Sequence, residues 1–131
     1  FHDTSMGGLR TNLAALLCAA GSIGPVWAGD DLLRTFAGCA GRLSAQMEHE
    51  WLMSDAAAAQ TEQRRAAMIS LMEAMMPKGR GRDVLNWRIE VKMAQATLLT
   101  RSTFNDDEDD AAWAERRAET MIATCNGLVL S

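Results

Sequence analysis

Apolar residues recur every three or four positions along most of the chain, which is the spacing of one face of an α-helix. In the first such segment these residues are Leu32, Phe36, Cys39, Leu43, Met47 and Trp51. The second segment runs from Ala56 to Met76, between the N-cap residue types Ser54 and Asp55 and the helix-ending Pro77. Each segment predicts one helix.

Two further segments follow the Lys78–Arg82 turn. Asp83 is a suitable cap for a third helix, which should end near Phe104 and has the apolar stripe Leu85, Ile89, Met93, Ala96 and Leu99. The fourth helix should bury one face and stop at Asn126-Gly127, and that face is Ala114, Ala118, Met121, Ile122 and Cys125. No segment alternates apolar and polar residues as a strand would.

The composition agrees with an all-α fold. The 131 residues include no Tyr and only two Pro, while good helix formers are abundant. Short connections between sequential helices favour a small antiparallel up-down four-helix bundle. This order would place Cys39 of the first helix and Cys125 of the last at the same end of the bundle.

The beginning of the chain has the order of regions that is typical of an export signal peptide. Residues 1–5 are interpreted as an upstream or added segment, and Met6 as a natural start. Residues 6–28 then resemble a signal peptide, with Arg10, an apolar stretch from Leu13 to Ile23, and small residues before a cleavage site after Ala28. Residues 29–131 would form a single helical domain. The alternatives are a retained helix that anchors the chain, and lipidation of Cys18.

Export would also explain the cysteines. Cleavage after Ala28 removes Cys18 and leaves Cys39 and Cys125 as an even pair, which an oxidising compartment would join in a disulfide. The chain is therefore expected to be periplasmic or secreted, and its excess of Arg over Lys suggests a bacterial source. The alternative is two buried, reduced thiols. The apolar stretch is shorter than the roughly 20 residues of a bilayer span, so no stable span is expected after cleavage.

The methionines give the chain one candidate metal site. Met68, Met72 and Met75 share a helical face, and Met53 lies four residues from His49. Thioethers and an imidazole are soft ligands suited to Cu(I), which makes periplasmic copper handling an alternative function. A methionine stripe is also typical of adaptable core packing. No cofactor is predicted, because the chain has no Cys-x-x-Cys-His motif for haem.

Other polar clusters are weaker candidate sites. Glu48-His49-Glu50 does not converge on one atom, because successive helical residues point about 100° apart. The acidic run 105–110 lacks the glycine and closing glutamate of an EF-hand loop and is interpreted as a helix-capping connection. Lys78, Arg80 and Arg82 form a possible anion contact or a flexible turn. No nucleophile, base and orienting partner can be assembled, so an enzyme is a second alternative only.

These observations lead to an expected function. A net charge of -4 without a basic cluster argues against nucleic acid as a partner. The sequence favours a non-catalytic, exported cell-envelope protein that acts as a protein-binding or accessory subunit. Trp51, Trp87 and Trp113 are the candidate partner contacts if any of them is exposed, although a core position is favoured for each.

Overall fold

The computed structural model of the protein describes residues 25–130 and the side chains of residues 29–129. It contains the four predicted helices, and no strand occurs within these residues. The helices are α1 (Pro25–Leu52), α2 (Ala58–Met75), α3 (Gly81–Thr103) and α4 (Glu108–Leu130). The all-α prediction is confirmed.

The predicted signal peptide lies largely outside the described residues. Only its last four residues fall within them, in the first turn of α1. Within residues 25–130, no helix combines the length and the apolarity that a membrane span requires.

The longest helix, α1, occupies the centre of the fold. It packs against α2, α3 and α4, and α4 packs against α3 and, over a smaller area, against α2. By contrast, no residue of α2 has its Cα atom within 8 Å of a Cα atom in α3. Sequential helices are therefore not all neighbours, and the space beside α1 between α2 and α3 is open.

The core forms around α1. Buried side chains from all four helices make one cluster, to which α2 contributes methionines and α4 a cysteine: Leu33, Phe36, Ala37, Cys39, Ala40, Leu43, Met68, Met72, Val84 and Cys125. The middle of the stripe predicted for the first helix is buried, as expected. Its two ends are not, since Leu32 and Trp51 are exposed. At the N-terminal end, Leu33 is buried in place of Leu32.

The predicted disulfide is confirmed. Cys39 and Cys125 are bonded, with 5.5 Å between their Cα atoms. One turn further along α1, the Arg42 guanidinium donates to the Met121 carbonyl at 3.4 Å and to Cys125 Sγ at 3.3 Å. These contacts advance along α1 while they retreat along α4, so the two helices run in opposite directions here. Burial is the main cause that lowers the pKa of Arg42, and nearby Arg117 lowers it further.

The predicted stop of the last helix at Asn126-Gly127 is wrong, because α4 continues to Leu130. A glycine inside a helix costs about 1 kcal/mol relative to alanine, which tertiary contacts can offset. Val129 packs against the core, and the Cys125 bond holds the preceding turn on α1. These contacts lie on both sides of Gly127.

Glycines allow α3 to approach α1 closely. A Cβ atom added to Gly41 would overlap the carbonyl oxygen of Arg88, and one added to Gly38 would lie 3.4 Å from Val91 Cγ2. The absence of a side chain at Gly41 thus fixes which face of α3 turns inward. Val84, Gln95 and Leu99 are the buried residues of that face.

Candidate functional site

The methionines predicted as metal ligands do not gather around His49. Met68 and Met72 are fully buried in the core, and Met75 packs against it. Met53 is exposed just after the end of α1. Among the described residues, no methionine lines the pockets that His49 borders, and no group of three His, Cys, Asp or Glu residues could hold a metal ion. Met68, Met72 and Met75 are arranged as core-packing residues.

His49 borders a cleft of about 420 Å³ formed by α1, α3 and α4. Its Nε2 lies 3.2 Å from Thr103 Oγ1, and the cleft also gathers the carboxylates of Asp55, Glu115 and Glu119. Within the described residues no carboxylate is hydrogen-bonded to the His49 ring, whose hydrogen-bonding neighbour is Thr103.

The neighbours of His49 in the sequence point elsewhere, as their helical spacing predicts. Glu48 Oε1 accepts a hydrogen bond from Lys92 Nζ at 2.7 Å. Glu50 is buried, and its Oε1 has no hydrogen-bond partner in the described part of the chain. Glu48 and His49 border one shallow pocket but have different polar neighbours, Lys92 and Thr103, so the tripeptide does not converge on one atom.

The three candidate tryptophans differ in their surroundings. Trp87 packs against the core, and the guanidinium carbons of Arg34 and Arg80 lie 4.8 and 5.4 Å from its ring centroid. Trp51 and Trp113 are exposed, which rules out the alternative that they are core residues. They therefore remain available as partner contacts.

Arg80 is committed to structural contacts and is not a free anion ligand. Its Nη1 donates to both carboxylate oxygens of Asp30 at 2.9 and 3.1 Å, and its Nε donates to Asp83. The Asp30 hydrogen bond is the main cause that raises the pKa of Arg80. Only Lys78 and Arg82 of the predicted anion contact are exposed and without a hydrogen-bond or ion-pair partner in the described part of the chain.

The acidic run caps α4, as its position predicts. Asp107 Oδ1 accepts hydrogen bonds from the amides of Asp109 and Asp110 at the start of the helix. Asp110 in turn accepts from Arg101 Nη2 and from Asn105 Nδ2, both at 2.6 Å. The Arg101 hydrogen bond is the main cause that lowers the pKa of Asp110.

The most distinctive surface is one that the sequence pattern assigned to the core. Leu85, Ile89 and Met93, four residues apart on α3, are 51%, 51% and 60% exposed. We call these three residues the α3 ridge. The prediction that these three are buried is wrong, because α3 turns the face with Val84 and Gln95 inward. Leu99, from the same predicted stripe, is buried as expected.

The α3 ridge borders the open space between α2 and α3. This groove has a volume of about 210 Å³ and is lined by residues of three helices: Gly41, Ser44, Glu48, Arg65, Leu85, Arg88, Ile89 and Lys92. Its floor is the α1 surface at Gly41 and Ser44, and both residues are buried. We call this feature the α2–α3 groove.

The sequence did contain a signal for this surface. The third segment holds two apolar stripes, the expected one through Leu85 and a second one through Val84, Trp87 and Val91. Periodicity alone does not say which stripe is buried. The complementary feature is on α1, where Gly38 and Gly41 leave room for the second stripe.

The chain matches no protein-family model, no curated protein and no solved structure with which it was compared.

Proposed function

We propose that this chain is an exported, non-catalytic helical protein that binds another protein through the α3 ridge and the α2–α3 groove. The main support for this proposal is the row of three large apolar side chains along two turns of α3, each of which is about half exposed or more. Apolar rows of this kind are typical of helix-to-helix recognition surfaces.

The proposal includes the location and the processing of the chain. Residues 6–28 act as a signal peptide that is cleaved after Ala28, and the product is a periplasmic or secreted up-down bundle. The Cys39–Cys125 bond supports this location, because structural disulfides persist in oxidising compartments. Intact mass of the chain expressed from Met6 in bacteria tests it. A product that begins at Gly29 and is two hydrogen masses lighter than its reduced form is expected, and an uncleaved product with free thiols would contradict export.

Photocrosslinking tests the binding function. A photoreactive amino acid at position 89 should give a discrete adduct with another protein in the cells that naturally make this chain. The control position is Leu128, an exposed apolar residue on α4. The adduct should form again between the purified partner and the purified chain. If position 89 yields no adduct under conditions in which the chain is folded and oxidised, the proposed function is wrong.

A further inference from the structure

We infer that the α2–α3 groove binds an amphipathic helix of another protein, and that carboxylates flank the apolar stripe of that helix. This inference rests on the proposed function and names the chemistry of the partner at the same surface. Four observations carry it: the length of the α3 ridge, the preformed walls of the groove, its charge, and the unpaired state of Arg88.

The dimensions fit a helix. At 1.5 Å per residue, the eight-residue step from Leu85 to Met93 extends about 12 Å, or slightly more than two helical turns. Apolar residues at positions i, i+3 or i+4, and i+7 of a partner helix match this length. A helix laid along the ridge would also face Arg65 on the α2 wall of the groove.

The walls of the groove are each held to its floor but not to each other. Arg65 Nε of α2 donates to Ser44 Oγ at 2.6 Å, and Ser44 Oγ donates to the Ala40 carbonyl. On the other side, the Lys92–Glu48 ion pair and the contact at Gly41 join α3 to α1. The groove is therefore formed before a partner binds, so that little ordering of the backbone is required on binding.

The charge of the groove selects the partner. Three cations line it, Arg65, Arg88 and Lys92, against the single carboxylate of Glu48, which leaves a local charge of about +2 on a protein of net charge -4. Among the described residues, the Arg88 guanidinium has no hydrogen-bond or ion-pair partner. A carboxylate could accept two parallel hydrogen bonds from such a group. Acidic residues beside the apolar stripe of the partner helix would therefore complement the cations of the groove.

The same charges disfavour a second copy of this chain as the occupant. If two copies paired groove to groove, the cations of one would face the cations of the other. Like charges brought together at an interface oppose association and act against the wrong partner. The favoured occupant is therefore an acidic helix of a different protein.

Selection from a peptide library tests this inference directly. The displayed peptides are amphipathic helices with a fixed apolar stripe, whose flanking positions are randomised equally among Glu, Gln and Lys. The target is the purified, oxidised chain. We expect enrichment of Glu at the flanking positions, and binding that weakens as salt concentration rises.

Substitutions in the groove test whether the selected peptide binds there. For a selected peptide, Ile89→Ser should weaken affinity about tenfold or more, and Arg88→Gln should weaken it several-fold and reduce its salt dependence. The matched controls on α4 are Leu128→Ser for the apolar change and Arg116→Gln for the charge change, and both should bind like the unaltered chain. Circular dichroism and thermal unfolding establish that each variant is folded.

Several results would overturn the inference. These are a failure to enrich any helix, enrichment of Lys or Gln at the flanks, or binding that Ile89→Ser leaves intact. A dimer seen by sedimentation and dissociated by Ile89→Ser would assign the groove to a second copy instead. If crosslinking at position 89 succeeds while the selected helices are not acidic, the inference fails and the proposed function stands. If both experiments fail, both are wrong.

Discussion

Gly41 in α1 lies so close to Arg88 in α3 that a Cβ atom at position 41 would overlap the Arg88 carbonyl oxygen. The overlapping atom belongs to backbone, which cannot rotate away as a side chain can. One missing side chain thus sets the distance between the two helices that pack most extensively in the protein. It also sets the rotation of α3 that exposes the α3 ridge.

The first prediction follows from this contact. Gly41→Ala should lower the free energy of unfolding by about 1–3 kcal/mol, the usual cost of overpacking. Urea unfolding of the oxidised chain measures it. Gly38→Ala is the matched control, because its Cβ would meet only Val91, with Cγ2 nearest at 3.4 Å, and alanine is the better helix former by about 1 kcal/mol. Equal stabilities for the two variants would show that the helices separate at little cost.

The second prediction concerns the disulfide. Cys39 and Cys125 are separated by 86 positions, so their bond removes considerable entropy from the unfolded chain. The chain-entropy model gives a stabilisation of about 4–5 kcal/mol for a loop of this length. The double variant Cys39→Ala, Cys125→Ala should unfold at correspondingly lower urea and should not respond to reductant. A wild-type unfolding curve that reductant does not shift would mean that the bond is absent from the purified protein.

The third prediction uses the ion pair at the junction of α3 and α4. Arg101 holds the pKa of Asp110 below its ordinary value, so this pair contributes stability that is present above the unfolded pKa of about 4 and is lost as pH falls through the folded value. Arg101→Gln should raise the Asp110 pKa, which carboxyl NMR can follow. The stability difference between this variant and the wild type should shrink below about pH 4.

A control variant distinguishes the effect of the Arg101–Asp110 ion pair on the Asp110 pKa from the effect of the protein's overall charge. Arg116→Gln removes an exposed cation that has no ion-pair partner within the described residues. It should leave the Asp110 pKa unchanged. If both variants raise the pKa equally, the effect is long-range and the Arg101 hydrogen bond does not cause it.

Sequence reasoning predicted the number and approximate limits of the helices, because periodicity, Pro77 and the acidic cap at Asp107 are local signals. It also predicted the Cys39–Cys125 bond, since pairing follows once export and four helices are assumed. It failed at Gly127, where contacts of Val129 with the core outweigh a local stop signal. Local patterns cannot register such contacts.

The candidate site could not be predicted for a related reason. Two apolar stripes on α3 compete for the core, and the choice depends on the shape of α1 at Gly38 and Gly41 rather than on α3 itself. The separation of the α2 and α3 backbones is likewise a property of the assembled helices. A groove between separated helices leaves no pattern in either sequence segment.

The last prediction distinguishes core methionines from metal ligands. Met68 is fully buried, whereas Met53 is 49% exposed. Met68→Ala should therefore cost about 2–5 kcal/mol through lost burial and a cavity, and Met68→Leu less than about 1.5 kcal/mol, because it nearly conserves volume. Met53→Ala should change the free energy of unfolding by less than about 0.5 kcal/mol. Urea unfolding without metal measures all three.

Addition of Cu(I) to the same variants completes the test. Met68 is buried among apolar side chains, so Cu(I) should not raise the unfolding midpoint of the wild type. The ranking of the variants should also be the same with and without the metal. Stabilisation by Cu(I) that Met68→Leu abolishes would show that the methionines are ligands, since leucine keeps the volume and removes the sulfur.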